Sequence, residues 1–326
     1  MSKIFVNLCS YRDKFLPSTL ESLLATESGR NEITYGIFDQ SKLESSLIQL
    51  NPSLANHPRV RYKRIDPEYS DGVVWARHVN SLQIKDEEFQ YQIDSHMLFD
   101  DAWDNYLIFD YNQAKKIANT DKVILTAGTK NFKLVGENQI VKSTFDGEIT
   151  TSIKYVNFNK NLRLNAHGHW IKATTEVQPS LHILAGNFFT HTDWVKNVGY
   201  NAKIYFHGEE QILTLSSWLA GYKIYNQRNI KVYHYINSSN HESKSVVNPV
   251  ISQEKISAYE EQTDREISRY IYSIDEEILK KYKEETGIDY INRKLEPRAV
   301  SDYWKFGPED KKEWEVTTTQ EKINDN

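Results

Sequence analysis

Asp94 and His96 are the residues of this chain whose types and spacing most directly suggest chemistry. They flank Ser95 in the run Tyr91-Gln92-Ile93-Asp94-Ser95-His96-Met97-Leu98-Phe99. Tyr91 and Ile93 are strand formers, and the run alternates as a strand edge does. Successive side chains on a strand point to opposite faces, so the spacing predicts that Asp94 and His96 project the same way. A carboxylate and an imidazole so placed can grip one divalent cation and leave coordination positions open. That geometry suits a metal bridging a diphosphate. The same residues could instead form a turn after a strand, holding backbone amides.

The surrounding sequence reads as strands alternating with helices. Ile4 to Leu8 is a buried strand followed by the loop Ser10-Tyr11-Arg12-Asp13, and Pro17 to Ala25 is a helix with Pro17 near its start. Ile33–Phe38 and Val60–Ile65 are further strands, Gly72–Leu82 a helix, and Phe89–Asp94 the strand that delivers Asp94 and His96. This order predicts a mostly parallel α/β sheet with its ligand site outside the strand carboxyl ends, where residues 10–13 and 94–97 both fall. Ser10, Tyr11 and Arg12 offer a hydroxyl, an aromatic face and a guanidinium, which suit ribose, base and phosphate. Alternatively Ser10 or Asp13 caps the next helix. Gly72 permits close backbone approach, and Arg77 could reach a diphosphate or form a surface salt bridge. Trp75 reads as packing.

Composition bounds the rest. With 39% hydrophobic and 12% aromatic residues over 326 positions, the chain can bury a sizeable core. A net charge of −5 gives no global nucleic-acid footprint. The single cysteine, Cys9, excludes a disulfide framework and fits a reducing compartment. No segment approaches ~18 consecutive apolar residues, so a cytoplasmic protein without membrane contact is expected. The expected organisation is a nucleotide-binding half at 1–110, a half at 111–245 that the family resemblance below would make acceptor-binding, and a charged helical extension at 246–326 whose end, Glu313 to Asn326, is frayed.

Four stretches in order carry a family resemblance: Asn7 to Asp13; Asp71 to Arg77; Gln92 to Met97; and Ala185-Gly186-Asn187-Phe188-Phe189 leading to Phe206-His207-Gly208-Glu209-Glu210, Gly221 to Tyr225 and His234. The chain resembles the GT-A-type N-acetylglucosaminyltransferases, whose best-known members modify hydroxyproline. The resemblance implies a UDP-sugar donor and a Mn2+ or Mg2+ ion on Asp94, His96 and His234. It places Ser10, Tyr11, Arg12, Arg77 and Ser95 on the donor, and transfer with retention through a front-face mechanism. Glu209 and Glu210 become the acidic pair of the catalytic face, although two carboxylates opening a helix are also favoured by its dipole. Gly186 and Asn187 are placed near sugar or acceptor, and Lys130 and Lys133, in a basic region of the chain's own, are expected near the acceptor.

The chain departs from the family after the metal motif, where Thr126-Ala127-Gly128-Thr129-Lys130-Asn131-Phe132-Lys133 replaces a Pro-rich, Tyr-containing turn. Residues 111–175 hold ten basic residues and four acidic ones, an excess of six positive charges in an acidic protein. Such a region could draw a polyanionic acceptor, or be a solvated face. Three functions therefore compete: sugar transfer to a macromolecule, most simply a protein hydroxyl; transfer to a hydroxymethylated base in DNA; and a non-catalytic nucleotide-sugar-binding module.

Overall fold

The computed structural model describes residues 1–135, 139–158, 163–236, 253–291 and 314–315. The first half alternates β1 (Lys3–Tyr11), α1 (Leu16–Ala25), β2 (Glu32–Gln40), short helices α2 (Leu47–Leu50) and α3 (Pro52–Ala55), β3 (Val60–Ile65), α4 (Val73–Ser81) and β4 (Phe89–Ile93). Then come β5 (Met97–Phe99), α5 (Trp103–Ala118), β6 (Val123–Thr126), β7 (Lys130–Val135), β8 (Gln139–Lys142), and a hairpin of β9 (Ile149–Phe158) with β10 (Leu164–Lys172). The remainder is β11 (Gln178–Pro179), β12 (Asn187–His191), α6 (Asp193–Asn197), α7 (Glu209–Leu219), β13 (Lys223–Asn226), β14 (Val232–Tyr235), α8 (Gln253–Ser273) and α9 (Glu276–Thr286).

Eight strands form the main sheet in the order β11-β13-β6-β12-β4-β1-β2-β3. β4, β1, β2 and β3 are mutually parallel, as are β13 and β6, while β12 runs antiparallel between β4 and β6. The parallel strands carry apolar runs because both of their faces are covered; Ile4, Phe5, Val6 and Leu8 of β1 are all fully buried. Leu16, Leu20 and Leu23 present one face of α1 to this core at helical spacing.

A four-stranded sheet, β5-β14-β7-β8, stands beside the main one. The chain leaves the main sheet at Ile93, bends through residues 94–96, and enters the smaller sheet at Met97. Asp94 and His96 therefore lie in a bend between strands, and the pleat that the sequence predicted to align them ends one residue earlier.

The charged extension carries two helices, but it is not a solvated appendage. Ile267, Ile271, Leu279, Tyr282, Ile288 and Tyr290 are buried in a second core with Trp194, Leu215 and Phe188. The expected fraying of residues 313–326 falls almost wholly outside the described residues. Among the described residues, no helix is long and apolar enough to cross a membrane.

Candidate functional site

Helix α1 and strand β14 place the two histidines. Thr19 of α1 brackets the bend: its Oγ1 donates to the Ser95 carbonyl at 2.8 Å and accepts from the Met97 amide at 2.9 Å. The Phe99 amide donates to Ser22 Oγ one helical turn on. On the other side β14 runs antiparallel to β5, with His234 opposite Met97, and the Tyr235 amide donates to the His96 carbonyl at 3.0 Å. This pairing carries His234 to His96 across 138 residues of chain.

The resulting cluster is compact. Asp94, His96 and His234 each present a potential ligand atom, all within 4.8 Å of one another. The two Nε2 atoms are 2.8 Å apart, and His234 Nε2 lies 3.6 Å from Asp94 Oδ2. The side chains are 24–31% exposed, so the cluster is reachable from solvent. Gly186 makes room for it: a Cβ built there would lie 2.5 Å from Asp94 Oδ2. Two imidazole nitrogens and a carboxylate oxygen converging on one point are a donor set that could hold a divalent metal ion.

Charge beneath the cluster is organised by Arg77. Its guanidinium, 3% exposed, donates to Asp94 Oδ1 at 2.6 Å and to Glu209 Oε2 in a short contact. Burial opposes that charge, yet the two carboxylates hold the Arg77 pKa above its ordinary value. Burial also pushes the Asp94 carboxyl up, but Arg77 and the two histidines outweigh it and hold the group below the usual range. His234 is lowered by burial and by the neighbouring His96. Glu209 is raised by burial, against the pull of Arg77.

The other expected site residues differ in depth and in partners. Arg77 lies behind Asp94 with two carboxylate partners, a buried arrangement and not a surface salt bridge. Glu209 is 6% exposed and faces Arg77 rather than the open side. Glu210 is more open: Oε1 accepts from the Ala185 amide at 2.9 Å, and the side chain is 42% exposed. Asn187 is fully buried, exchanging hydrogen bonds with Tyr91, Ala127 and Gln227. Ser95 is buried with its Oγ donating to Asp13 Oδ2 at 2.6 Å. Lys130 is 12% exposed, paired to Asp100 at 2.6 Å and lying over the Tyr233 ring; Lys133 is exposed.

At the carboxyl end of β1 the Ser10 hydroxyl is buried without a hydrogen-bond partner among the described residues. Arg12 is exposed and adopts a left-handed φ of 51°, uncommon for a side chain of its size. Sequence reasoning missed Asp39 at the end of β2. Its Oδ2 accepts from Leu47 N and Tyr62 Oη, while its buried Oδ1 is unpartnered among the described residues. An acid at the carboxyl end of a parallel strand was the available signal.

The fold and its comparisons define the class: a GT-A glycosyltransferase fold. GalNAc-T7, solved with UDP, GalNAc and Mn2+, superposes with a TM-score of 0.55 at 15% identity over 93% of this chain and 58% of its own. Residues 45–308 match the family described as Glycosyltransferase (GlcNAc), and the chain belongs to that family. TarS residues 1–349 from S. aureus, in complex with UDP-GlcNAc, give a TM-score of 0.45 at 17% identity over 76% of this chain and 62% of theirs, too low to add to the argument. The chain thus spans less than two thirds of either structure. No curated protein matches the sequence.

Proposed function

We propose that the protein is a metal-dependent glycosyltransferase that moves a sugar from a UDP-sugar to a hydroxyl of a macromolecular acceptor, with retention. The observation that carries this is the convergence of Asp94 Oδ2, His96 Nε2 and His234 Nε2 where β4 leaves the sheet. Those three atoms would hold the ion. A bound Mn2+ or Mg2+ would supply charge stabilisation to the leaving diphosphate.

The other residues divide by position. Arg12 and Ser10, at the end of β1, would bind nucleotide and phosphate, with Tyr11 and Asp39 beside them. Arg77, braced by Glu209, holds Asp94 Oδ1 and leaves Oδ2 toward His234. Glu210, fixed by the Ala185 amide, is the acidic group placed to hold a sugar or acceptor hydroxyl. The two halves at 1–110 and 111–245 would then serve donor and acceptor.

For the acceptor, a protein hydroxyl is the reading we carry forward. The DNA reading rests on excess positive charge in 111–175, and three of its ten basic residues are paired to acids outside the region. Lys130 and Lys142 both meet Asp100, and Arg163 meets Glu260 and Asp264. Lys160 and Glu137 lie outside the described residues.

The test is a screen of UDP-sugars with Mn2+, using peptide and hydroxymethylated-DNA acceptors side by side, read by mass spectrometry with the product anomer assigned by NMR. Expected is donor turnover with Mn2+ that disappears with chelator, and transfer to peptide. Turnover unchanged by chelation would overturn the metal role, and transfer to DNA alone would overturn the acceptor.

A further inference from the structure

Asp13 closes the turn before α1 with one oxygen, and does not cap the helix itself: the Phe15 amide donates to Oδ1 at 2.9 Å. The other oxygen faces the cluster. Oδ2 lies 2.6 Å from His96 Nδ1 and also accepts from Ser95 Oγ at 2.6 Å. The Asp13 side chain is 14% exposed, so these contacts are not contested by open solvent.

We propose that Asp13 is a positioning residue for the metal centre: it holds His96 as the Nδ1–H tautomer, so that the Nε2 lone pair points at the ion. The inference rests on the metal reading above. A carboxylate accepts hydrogen bonds and cannot donate, so a neutral imidazole against Oδ2 must carry its proton on Nδ1. Nε2 is then the ring's acceptor atom, and it is the atom turned toward His234 and Asp94. Ser95 fixes Asp13 in the same rotamer, and Thr19 fixes the backbone on which both Ser95 and His96 ride. Ligand-bound histidines in metal proteins commonly donate their second N–H to a carboxylate, and losing that partner costs about 10–100-fold in affinity. The short spacing explains the sequence around the ion: an Asp on one loop, a Ser and a His on another, with the Ser tying the first to the second.

This assignment accounts for Ser95 as well. Its side chain is directed to Asp13 rather than to the donor, so the residue between the two candidate ligands serves the ligand beside it.

The experiment uses the full chain and two readouts. Mn2+ binding is titrated by electron paramagnetic resonance for wild type, Asp13→Asn and Ser95→Ala. The tautomer of His96 is read without metal from 15N shifts of its ring, the signal being assigned by its loss in His96→Ala. Expected are a fall in Mn2+ affinity of about tenfold or more in Asp13→Asn, a smaller fall in Ser95→Ala, and a move of the His96 proton away from Nδ1 in Asp13→Asn, with unchanged circular dichroism. Asparagine keeps the shape and the Phe15 contact while offering an amide that also donates. An unchanged tautomer overturns the proposal whatever the affinity does, and so does an unchanged affinity in a wild type that binds Mn2+. If wild type binds no Mn2+, the metal reading falls and this proposal falls with it, while the tautomer measurement still reports whether Asp13 holds the ring.

Discussion

Arg77, Asp94 and Glu209 show that a site residue's type can be read from sequence while its depth cannot. In sequence, an arginine about one turn into a helix after Gly72 suits a phosphate; in the fold, α4 packs on β1 and turns that arginine inward. Taking two charges out of water is costly, and removing one partner strands the other. Arg77→Met is therefore expected to destabilise the protein by about 3–5 kcal/mol in urea denaturation at neutral pH, because Glu209 and Asp94 lose their counter-charge. Arg77→Met/Glu209→Met should recover most of that loss. A single variant as stable as wild type would show that the pair carries no structural role. Arg12, exposed at the end of β1, should behave in the opposite way: Arg12→Ala raises the apparent KM for the UDP-sugar and leaves the urea midpoint unchanged. What made depth illegible is that neither Arg77 nor Glu209 lies near the other in sequence; the bond between them spans 132 residues.

Among the elements, those that were legible are the ones whose order is local. β1 to β4 and the helices between them follow from apolar runs, Pro17 and the 3.6-residue spacing of leucines. The strands that complete the site were not legible as partners. β12 enters antiparallel between β4 and β6, and β14 pairs with β5 from far along the chain; the family resemblance groups His234 with His96, and this pairing is what carries one to the other. The junction of β12 with the cluster makes a sharp test. Gly186 precedes β12 and has no room for a side chain, its nearest neighbour being the carboxylate of Asp94. Gly186→Ala should weaken Mn2+ binding by displacing that carboxylate while the sheet stays folded; an unaltered titration curve would show that Asp94 can move aside without leaving the ion. The smaller sheet offers a pH test away from the cluster. Burial pushes the Asp100 carboxyl up, but Lys130 and Lys142 prevail and hold it below the usual range. A folded value below the unfolded one gives stability that is present above the unfolded carboxylate range and is lost as pH falls through the folded value. Lys130→Met should accordingly cost up to about 1 kcal/mol near pH 7, and that difference should vanish in acid as Asp100 protonates. A difference that persists in acid would assign the loss to packing over Tyr233.

For the molecule as a whole, charge counted along the sequence misled where charge in space does not. Arg163 is one of the ten basic residues counted between positions 111 and 175. In the fold its guanidinium is 13% exposed and clasps Glu260 and Asp264 of α8, tying the start of β10 to the charged extension. Its charge is held higher by those two acids despite burial, so it is spent within the molecule. The same helix is fastened at other points: the Tyr205 amide donates to Thr263 Oγ1, Tyr259 stacks on Tyr205 at 4.6 Å, and Ile267 fills the space over Gly208, just before the helix bearing Glu209. Residues 253–291 thus belong to the structure that presents the Glu209 end of the site, and Arg163 is one of its anchors. Arg163→Gln is expected to lower stability by about 2–4 kcal/mol, since two acids lose a partly buried partner, whereas Lys133→Gln on an exposed strand should change it by less than about 0.5 kcal/mol. For nucleic acid the expectation follows from the same pairs. A face making many phosphate contacts loses affinity steeply with salt, by nearly one unit of log–log slope per contact. With Lys130, Lys142 and Arg163 already paired, binding to duplex DNA should be weak, and Lys130→Gln and Lys133→Gln should each leave its salt slope unchanged. A slope that drops by about one unit in both variants would restore a polyanion to this face and return the acceptor to DNA.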